Sequence, residues 1–230
     1  MWFKNLREDI KAAKINDPAA RNSFEIWLTY AGVHALSWHR VAYFLQKIKL
    51  KLLARIVSQL ARFFTGIEIH PAAKIEGGVF IDHGSGVVIG ETAEVHKGTV
   101  IYQGVTLGGT GKERGKRHPT IMENVTLSAG AKVLGGFTVG KGAKIGAGAV
   151  VLKEVPPYAT VVGVPGRIVR IREPEASDAT HEGIIAVAAL KAEMNHEEML
   201  EREERAKEAA RVAEEKRSGK KTDVPGTQEN

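Results

Sequence analysis

The chain has 230 residues, a formal net charge of +6 and no cysteine. Its length allows one sizeable domain with appendages, and the lack of cysteine excludes disulfides, thiolate metal sites and a cysteine nucleophile. Basic residues are interleaved with acidic ones, which is typical of a solvated surface rather than a nucleic-acid-binding face. The longest apolar runs are too short to span a bilayer, and the first residues are charged too early for a secretory leader. We therefore expect a cytoplasmic protein without nucleic-acid or membrane partners.

Residues 1–66 are predicted to form a helical domain. Asp17-Pro18 is typical of a helix start, with Asp as the N-cap and Pro at the first helical position. Apolar residues then recur at three- and four-residue spacing, and a last helix is predicted over about 49–64. Three aromatic residues of these stripes are interpreted as helix-packing core: Trp27, Trp38 and Phe44.

A six-residue repeat follows the helices. Its first position is aliphatic throughout: Ile69, Ile75, Ile81, Ile89, Val95, Ile101, Leu107, Ile121, Leu127, Val133, Val139, Ile145 and Val151. Its fifth position holds small or mid-sized, mostly apolar residues, with Ser85 among them. A parallel β-helix repeats in this way because each flat face holds one short strand and then turns a corner, whereas helices and alternating strands have other periods. The sequence therefore predicts a parallel β-helix over residues 67–170.

The six-residue count slips at two places. It gains two residues after Ile81, and residues 108–120 form an insertion, rich in glycine and basic residues, before the repeat restarts. His83 lies at the first slip and His118 near the end of the second. Because function in repeat folds tends to lie on such insertions, these two histidines are the candidate functional residues.

A histidine beside a carboxylate can act as a general base on an alcohol near neutral pH. Glu68, about one coil before His83, is a candidate carboxylate to fix its tautomer. For the other histidines we expect ordinary surface or packing roles: His34, His39, His70, His96, His181 and His196. The four histidines of the ladder could suggest a three-histidine zinc site, but no further histidine follows His118 there, and we expect no bound metal.

Four short motifs surround the two slips: I-H-P-A-A-K-I from Ile69, D-H at Asp82 followed by I-G-E-T-A from Ile89, T-L-G-G-T-G-K from Thr106, and R-H-P from Arg117. Together they resemble the serine acetyltransferases, members of the hexapeptide-repeat acyltransferases, over roughly residues 15–170. The resemblance implies an α+β fold, with a left-handed parallel β-helix between a small helical domain and a charged extension. That extension, residues 171–230, is predicted to be helical or disordered.

The resemblance also implies an activity, the transfer of acetyl from acetyl-CoA to the hydroxyl of L-serine to give O-acetyl-L-serine, the first step of cysteine biosynthesis. It implies three catalytic residues: His83 as the general base, Glu68 in the place of the Asp that orients it, and His118. Asp17 and Asp82 match residues that hold the substrate amine. Arg117 and His118 match those that face its carboxylate, and Glu91 matches an acidic residue of the same site.

Acetyl-CoA is then a co-substrate, and no cofactor is expected to be bound permanently. The coenzyme A groove matches four residues of this chain: Gly109, Ala129, Lys144 and Ala147. The resemblance implies a homotrimer with sites between subunits. Members with a long amino-terminal helical domain pair trimers into hexamers, and here that region is short, so a trimer is expected and a hexamer stays open. Its tail docks onto O-acetylserine sulfhydrylase through a terminal isoleucine, whereas this chain ends at Asn230, so that complex is not expected. Competitive inhibition by L-cysteine is expected by analogy.

Two alternatives stay open from the sequence alone. One is a hexapeptide acetyltransferase acting on another alcohol, such as a sugar or a homoserine-like compound. The other is a non-catalytic β-helix scaffold whose charged extension binds a partner.

Overall fold

The computed structural model of the chain describes residues 2–111, 114–173, 192, 194, 199–200 and 202–212. The chain divides into two compact units, Met1–Pro174 and Glu175–Asn230. In the second unit residues 202–212 are helical, and most of the charged extension predicted over 171–230 lies outside the described residues. In the part of the chain that the structure describes, no helix is both long and apolar enough to cross a membrane.

Four helices precede the β-helix: α1 (Trp2–Asn16), α2 (Ser23–Thr29), α3 (Ala31–Lys47) and α4 (Lys51–Thr65). The prediction of a helix start at Asp17-Pro18 is wrong. Helix α2 is instead capped by Asn22, whose side chain accepts a hydrogen bond of 2.9 Å from the backbone N–H of Glu25. Asp17 Oδ1 accepts one of 2.7 Å from the Ala19 N–H and closes a turn, because an Asp-Pro pair starts turns as readily as helices.

The prediction that Trp27, Trp38 and Phe44 form helix-packing core is also wrong. In the single chain their exposed fractions are 48 %, 39 % and 61 %. The buried sides of α3 and α4 carry mainly small residues, such as Ala42 and Ala54, which let the two helices approach closely. The large aromatic side chains are left on the outer side, where they contribute to an exposed apolar surface.

The β-helix has three faces, each a sheet of short strands. The first face contains β1 (Glu68–Ile69), β4 (Val88–Ile89), β7 (Thr106–Gly108), β10 (Lys132–Leu134) and β13 (Val150–Val151). The second contains β2 (Lys74–Ile75), β5 (Glu94–Val95), β8 (Thr120–Ile121) and β11 (Thr138–Val139). The third contains β3 (Phe80–Ile81), β6 (Val100–Ile101), β9 (Thr126–Leu127), β12 (Lys144–Ile145), β14 (Ala159–Val162) and β15 (Arg167–Ile171). All neighbouring strands are parallel except β14 and β15, which form a final antiparallel pair. The predicted parallel β-helix is confirmed.

The strand register shows where the repeat slips. On the first face Glu68 pairs with Val88, Val88 with Thr106, Thr106 with Lys132 and Lys132 with Val150, so successive coils take 20, 18, 26 and 18 residues. The 20-residue coil contains the two extra residues near His83, and the 26-residue coil contains the insertion that has His118 near its end. Both slips lie at corners, which leaves the three sheets in register.

The interior of the β-helix follows the repeat. Every first-position residue except Ile75 is buried. The fifth-position assignment is wrong at Ser85, which is exposed, and Val87 is fully buried instead. The two extra residues shift the inward-facing position from residue 85 to residue 87, because the chain has to complete the corner before the next strand can start.

Polar contacts fix the helices on the β-helix. The buried Asp9 of α1 accepts a hydrogen bond from the Gly78 N–H at 2.9 Å and pairs with Arg40 of α3 at 2.5 Å. Ser58 of α4 donates to the carbonyl of Ile69 at 2.6 Å. A buried carboxylate is tolerable when it is paired and hydrogen-bonded in this way. The helices are thereby held so that the turn after α1 reaches the corner that carries His83.

Candidate active site

The His83 corner, defined here as Asp17, Tyr30, Asp82 and His83, lies where the chain turns from the third face to the first. The turn has two residues more than a regular corner, and His83 adopts a left-handed backbone conformation with φ of 54°. Its side chain is 77 % exposed, and its Nε2 lies 3.9 Å from Asp82 Oδ1. The imidazole is therefore open to a ligand, with a carboxylate beside it.

Asp17 reaches this corner from the turn between α1 and α2. Tyr30 donates a hydrogen bond of 2.5 Å to Asp17 Oδ2. That bond lowers the pKa of Asp17, and the Ala19 N–H and the charge of His83 act in the same direction. The same bond raises the pKa of Tyr30 to about 12. Asp17 is thus a charged carboxylate at neutral pH, held near His83, and Tyr30 is a site residue that the sequence analysis did not identify.

Glu68 makes a different contact from the predicted one. Its carboxylate forms an ion pair of 2.9 Å with Arg62 of α4, and within residues 2–111 and 114–173 no hydrogen bond joins it to His83. Glu68 begins the first-face strand next to the His83 corner, since it pairs with Val88. Its role in orienting His83 stays a prediction.

The Arg117 corner, defined here as Glu91, Thr92, Arg117 and His118, lies where the chain turns from the first face to the second. Arg117 forms a close ion pair with Glu91 through Nη2, and the hydrogen bond from Arg117 lowers the pKa of Glu91. His118 is 9 % exposed. Its ring lies over Gly90, where an added Cβ would come within 2.1 Å of Nε2.

Thr92 holds the end of the insertion at this corner. Its Oγ1 accepts hydrogen bonds of 3.0 Å from the backbone N–H groups of Arg117 and His118, and it lies 2.9 Å from His118 Nδ1. Its backbone N–H donates to the same Nδ1 at 3.2 Å, and its carbonyl accepts from Lys116 Nζ at 2.8 Å. Thr92 could not be identified from the sequence, because a threonine at a corner has no distinctive spacing.

The charges of the Arg117 corner act on the pKa values of two histidines, His118 and His70. Burial lowers the pKa of His118, and the neighbouring Arg117 lowers it further. Burial also lowers the pKa of His70, which the charges of Glu91 and Arg117 influence in opposite directions. His118 is therefore neutral at neutral pH, and Arg117 is the cation of the corner. We expected an ordinary surface or packing role for His70, and its place beside Glu91 and Arg117 was not predicted.

The two corners lie on opposite edges of the first face. His83 precedes β4 and Arg117 follows β7, so the width of one face separates them, on the order of 15 Å. No ion pair or hydrogen bond between described residues joins the two corners. One edge carries the His83 imidazole with carboxylates, and the other carries the Arg117 guanidinium with the His118 imidazole.

A strip without side chains runs down the β-helix from the His83 corner. Four glycines with positive φ stack there: Gly86, Gly104, Gly130 and Gly148. An added Cβ at each of the first three would lie 3.5–3.9 Å from the next glycine of the strip, so the edge stays flat because these corners need a left-handed residue. Ala129 and Ala147 border the strip, and Lys144 is exposed on the third face. Gly109 lies on the other edge, where its Cβ position is 3.2 Å from the Arg117 carbonyl.

Comparison with known proteins first gives the class. The model of the bacterial transferase hexapeptide family (six repeats) matches residues 118–153, which form coils of the β-helix described above. The repeated coils are therefore those of a hexapeptide-repeat transferase.

Relatives that are similar over most of the chain give the family. A serine acetyltransferase of Bacillus pumilus (strain SAFR-032) is 62 % identical over 169 residues, which are 74 % of this chain and 78 % of the relative. The serine acetyltransferase of Bacillus subtilis (strain 168) is 60 % identical over 169 residues, again 74 % of this chain and 78 % of the relative. The chain belongs to the serine acetyltransferase family.

Solved structures agree with this assignment. The Neisseria gonorrhoeae serine acetyltransferase in complex with serine superimposes with a TM-score of 0.71 and 41 % identity over 74 % of this chain and 69 % of that one. The Brucella abortus strain S19 enzyme in complex with coenzyme A superimposes with a TM-score of 0.73 and 44 % identity, over 76 % of this chain and 70 % of that one. A serine acetyltransferase in complex with cysteine superimposes with a TM-score of 0.74 and 44 % identity, over 75 % of this chain and 67 % of that one.

Proposed function

We propose that this protein transfers the acetyl group of acetyl-CoA to the hydroxyl of L-serine, giving O-acetyl-L-serine and coenzyme A. The observation that carries the proposal is the division of charge between the two corners. Serine is a zwitterion, so its site needs carboxylates for the amine and a cation for the carboxylate. The His83 corner offers Asp17 and Asp82, and the Arg117 corner offers Arg117.

In the proposed mechanism His83 is the general base. It takes the proton of the serine hydroxyl as the hydroxyl oxygen attacks the thioester carbonyl carbon. The tetrahedral intermediate then collapses, the carbon–sulfur bond breaks, and the coenzyme A sulfur takes the proton from the imidazolium. Since serine attacks the thioester directly, no protein nucleophile is needed, in keeping with a chain that has no cysteine.

Each remaining site residue has a proposed role in this reaction. Asp17 and Asp82 hold the ammonium group, and Arg117 with His118 binds the carboxylate. Glu91 holds the Arg117 guanidinium through their ion pair, which fixes the direction in which Arg117 presents its remaining N–H groups. Glu68 is the proposed partner that orients His83, although in the single chain it pairs with Arg62.

Acetyl-CoA is proposed to lie along the glycine strip. A flat, side-chain-free edge lets the backbone approach the pantetheine chain closely, and the strip starts at His83, where the thioester has to be. Four residues are proposed to contact the coenzyme: Gly109, Ala129, Lys144 and Ala147. The coenzyme A complex of the Brucella relative supports this choice of co-substrate.

We also propose that a complete site forms between two chains of a homotrimer. Within one chain the base and the cation lie on opposite edges of a face, whereas serine is much smaller than that separation. A neighbouring chain that presents its Arg117 corner to the His83 corner would bring both to one ligand. The proposed coenzyme-binding residues divide in the same way, with Gly109 beside Arg117 and the glycine strip beside His83. We propose the exposed aromatic side chains of α2, α3 and α4 as the contacts through which trimers pair into hexamers.

An acceptor screen tests the proposed reaction. The full chain is assayed with acetyl-CoA and L-serine, L-threonine, L-homoserine or a galactoside, following the release of free thiol. We expect kcat/KM for L-serine to exceed the others by about a hundredfold, because the site is built for a short zwitterion. Equal rates with a sugar or homoserine would favour another acyltransferase, and no turnover of any acceptor would favour a scaffold.

L-Cysteine is expected to inhibit by competing with L-serine. It carries the same ammonium and carboxylate groups, so both corners can bind it, and one of the related solved structures is a serine acetyltransferase in complex with cysteine. Raising the L-serine concentration should restore the rate at fixed L-cysteine. Calorimetry that detects no cysteine binding would remove this prediction.

A further inference from the structure

Thr92 contacts three consecutive residues at the end of the insertion. Its hydroxyl oxygen accepts the N–H groups of Arg117 and His118, and its carbonyl accepts Lys116 Nζ. One residue of the preceding coil thus fixes the backbone of both groups proposed to bind the serine carboxylate. A hydroxyl has two acceptor positions and one hydrogen. The two backbone N–H groups fill the acceptor positions, so the hydroxyl hydrogen remains available to donate.

That hydrogen and the backbone N–H of Thr92 together determine the tautomer of His118. The Thr92 backbone N–H can only donate, and it points at His118 Nδ1 from 3.2 Å. The Thr92 hydroxyl lies 2.9 Å from the same atom, and its own acceptor positions are taken, so it donates as well. With two donors directed at it, Nδ1 is an acceptor, and the ring proton resides on Nε2.

The position of the ring is fixed together with its tautomer. Gly90 leaves the space in which the ring lies, since an added Cβ would be 2.0 Å from Cδ2 and 2.1 Å from Nε2. The residue is 9 % exposed, so few other ring orientations are open. Thr92 and Gly90 therefore form a cradle, one by hydrogen bonding and the other by the absence of a side chain.

We propose that Thr92 is a positioning residue that holds His118 as a neutral Nε2–H donor and fixes the Arg117 backbone beside it. Its consequence for serine rests on the proposed function: the substrate carboxylate meets one cation, Arg117, and one neutral donor, His118. Thr92 does not touch the reacting atoms. It acts on how serine is bound and not on the transfer step.

The tautomer is tested by nitrogen NMR of the histidine side chains in the full chain at neutral pH. His118 signals are assigned from their loss in His118→Asn. We expect the Nε2–H pattern in the wild type, and a shift towards tautomer-averaged signals in Thr92→Val, which keeps the shape but loses the hydroxyl. Thr92→Ser, which keeps the hydroxyl, should resemble the wild type. An Nδ1–H or doubly protonated ring in the wild type overturns the proposal, whether or not any variant folds.

Kinetics provide a second readout. Thr92→Val should raise KM for L-serine about tenfold while kcat and KM for acetyl-CoA change less than about threefold, and Thr92→Ser should restore the wild-type KM. Thr138→Val is the matched control, because within the described residues the Thr138 hydroxyl makes no hydrogen bond. Wild-type values in Thr92→Val, in both the spectrum and KM, would contradict the proposal. A wild type that does not acetylate serine would instead refute the proposed function, and the NMR result would still decide the tautomer.

Discussion

His83 combines a rare backbone conformation with an open side chain. A residue other than glycine with positive φ is uncommon, and such residues often occur at functional sites. The two extra residues of its coil produce this conformation, because the chain needs a wider turn before β4 can start. The slip therefore does more than interrupt a repeat: it turns the imidazole out of a corner where the regular repeat places small residues.

Replacing His83 with asparagine tests its role as a base. Asparagine tolerates a left-handed backbone, so the corner is kept while the base is lost. We expect kcat to fall by about a hundredfold or more, the usual scale for losing a general base, with little change in KM. Steady-state kinetics with both substrates measure this, and His96→Gln, on the second face, should behave as the wild type. Full activity in His83→Asn would exclude the mechanism.

His39 makes stability depend on pH. Burial lowers its pKa to about 4, below its value of about 6.5 in an unfolded chain. The unfolded state then binds more protons between these two values, so the free energy of unfolding falls as pH decreases through this window. Between about pH 7 and pH 5 the loss is about 2 kcal/mol. Urea unfolding at fixed protein concentration should show this loss in the wild type and a smaller one in His39→Gln, and equal losses would contradict it.

At the scale of elements, the corners carry the proposed site residues and the faces keep the corners in register. The six-residue period was enough to predict the β-helix and both slips, because one aliphatic position per strand fills the interior. It could not predict His70 or Thr92, because their roles depend on which coils stack on each other. It could not predict Tyr30 either, because the hydrogen bond from Tyr30 to Asp17 depends on how the helices fold back on one another. The exposure of Trp27 was not predicted for a similar reason. An apolar stripe on a helix does not show whether another element of the same chain packs against it.

A methyl group at Gly90 should displace the His118 ring. In Gly90→Ala the new Cβ overlaps the ring, so the ring has to leave its cradle. We expect kcat/KM for L-serine to fall by roughly tenfold to a hundredfold, the value of one hydrogen bond to a charged group. Gly111→Ala is the matched control, since no atom of the described residues lies within 4 Å of its Cβ position. Equal activity of the two variants would show that the His118 ring does not contribute to serine binding.

At the scale of the whole molecule, the single chain is not a complete enzyme in this account. Its base and its cation are held apart by the rigid width of a β-helix face, and no side-chain rotation closes that separation. Sedimentation analysis should therefore give a trimer or a multiple of it at assay concentrations. An active monomer would contradict a site shared between chains.

The most direct test mixes two inactive variants. His83→Asn lacks the base and Arg117→Ala lacks the cation, so each alone should be nearly inactive. In trimers formed by co-expressing both in equal amounts, about one interface in four joins an intact His83 corner to an intact Arg117 corner. We predict that the mixture recovers about a quarter of the wild-type L-serine acetylation rate. A mixture no more active than the separate variants would contradict the central claim that two chains form each site.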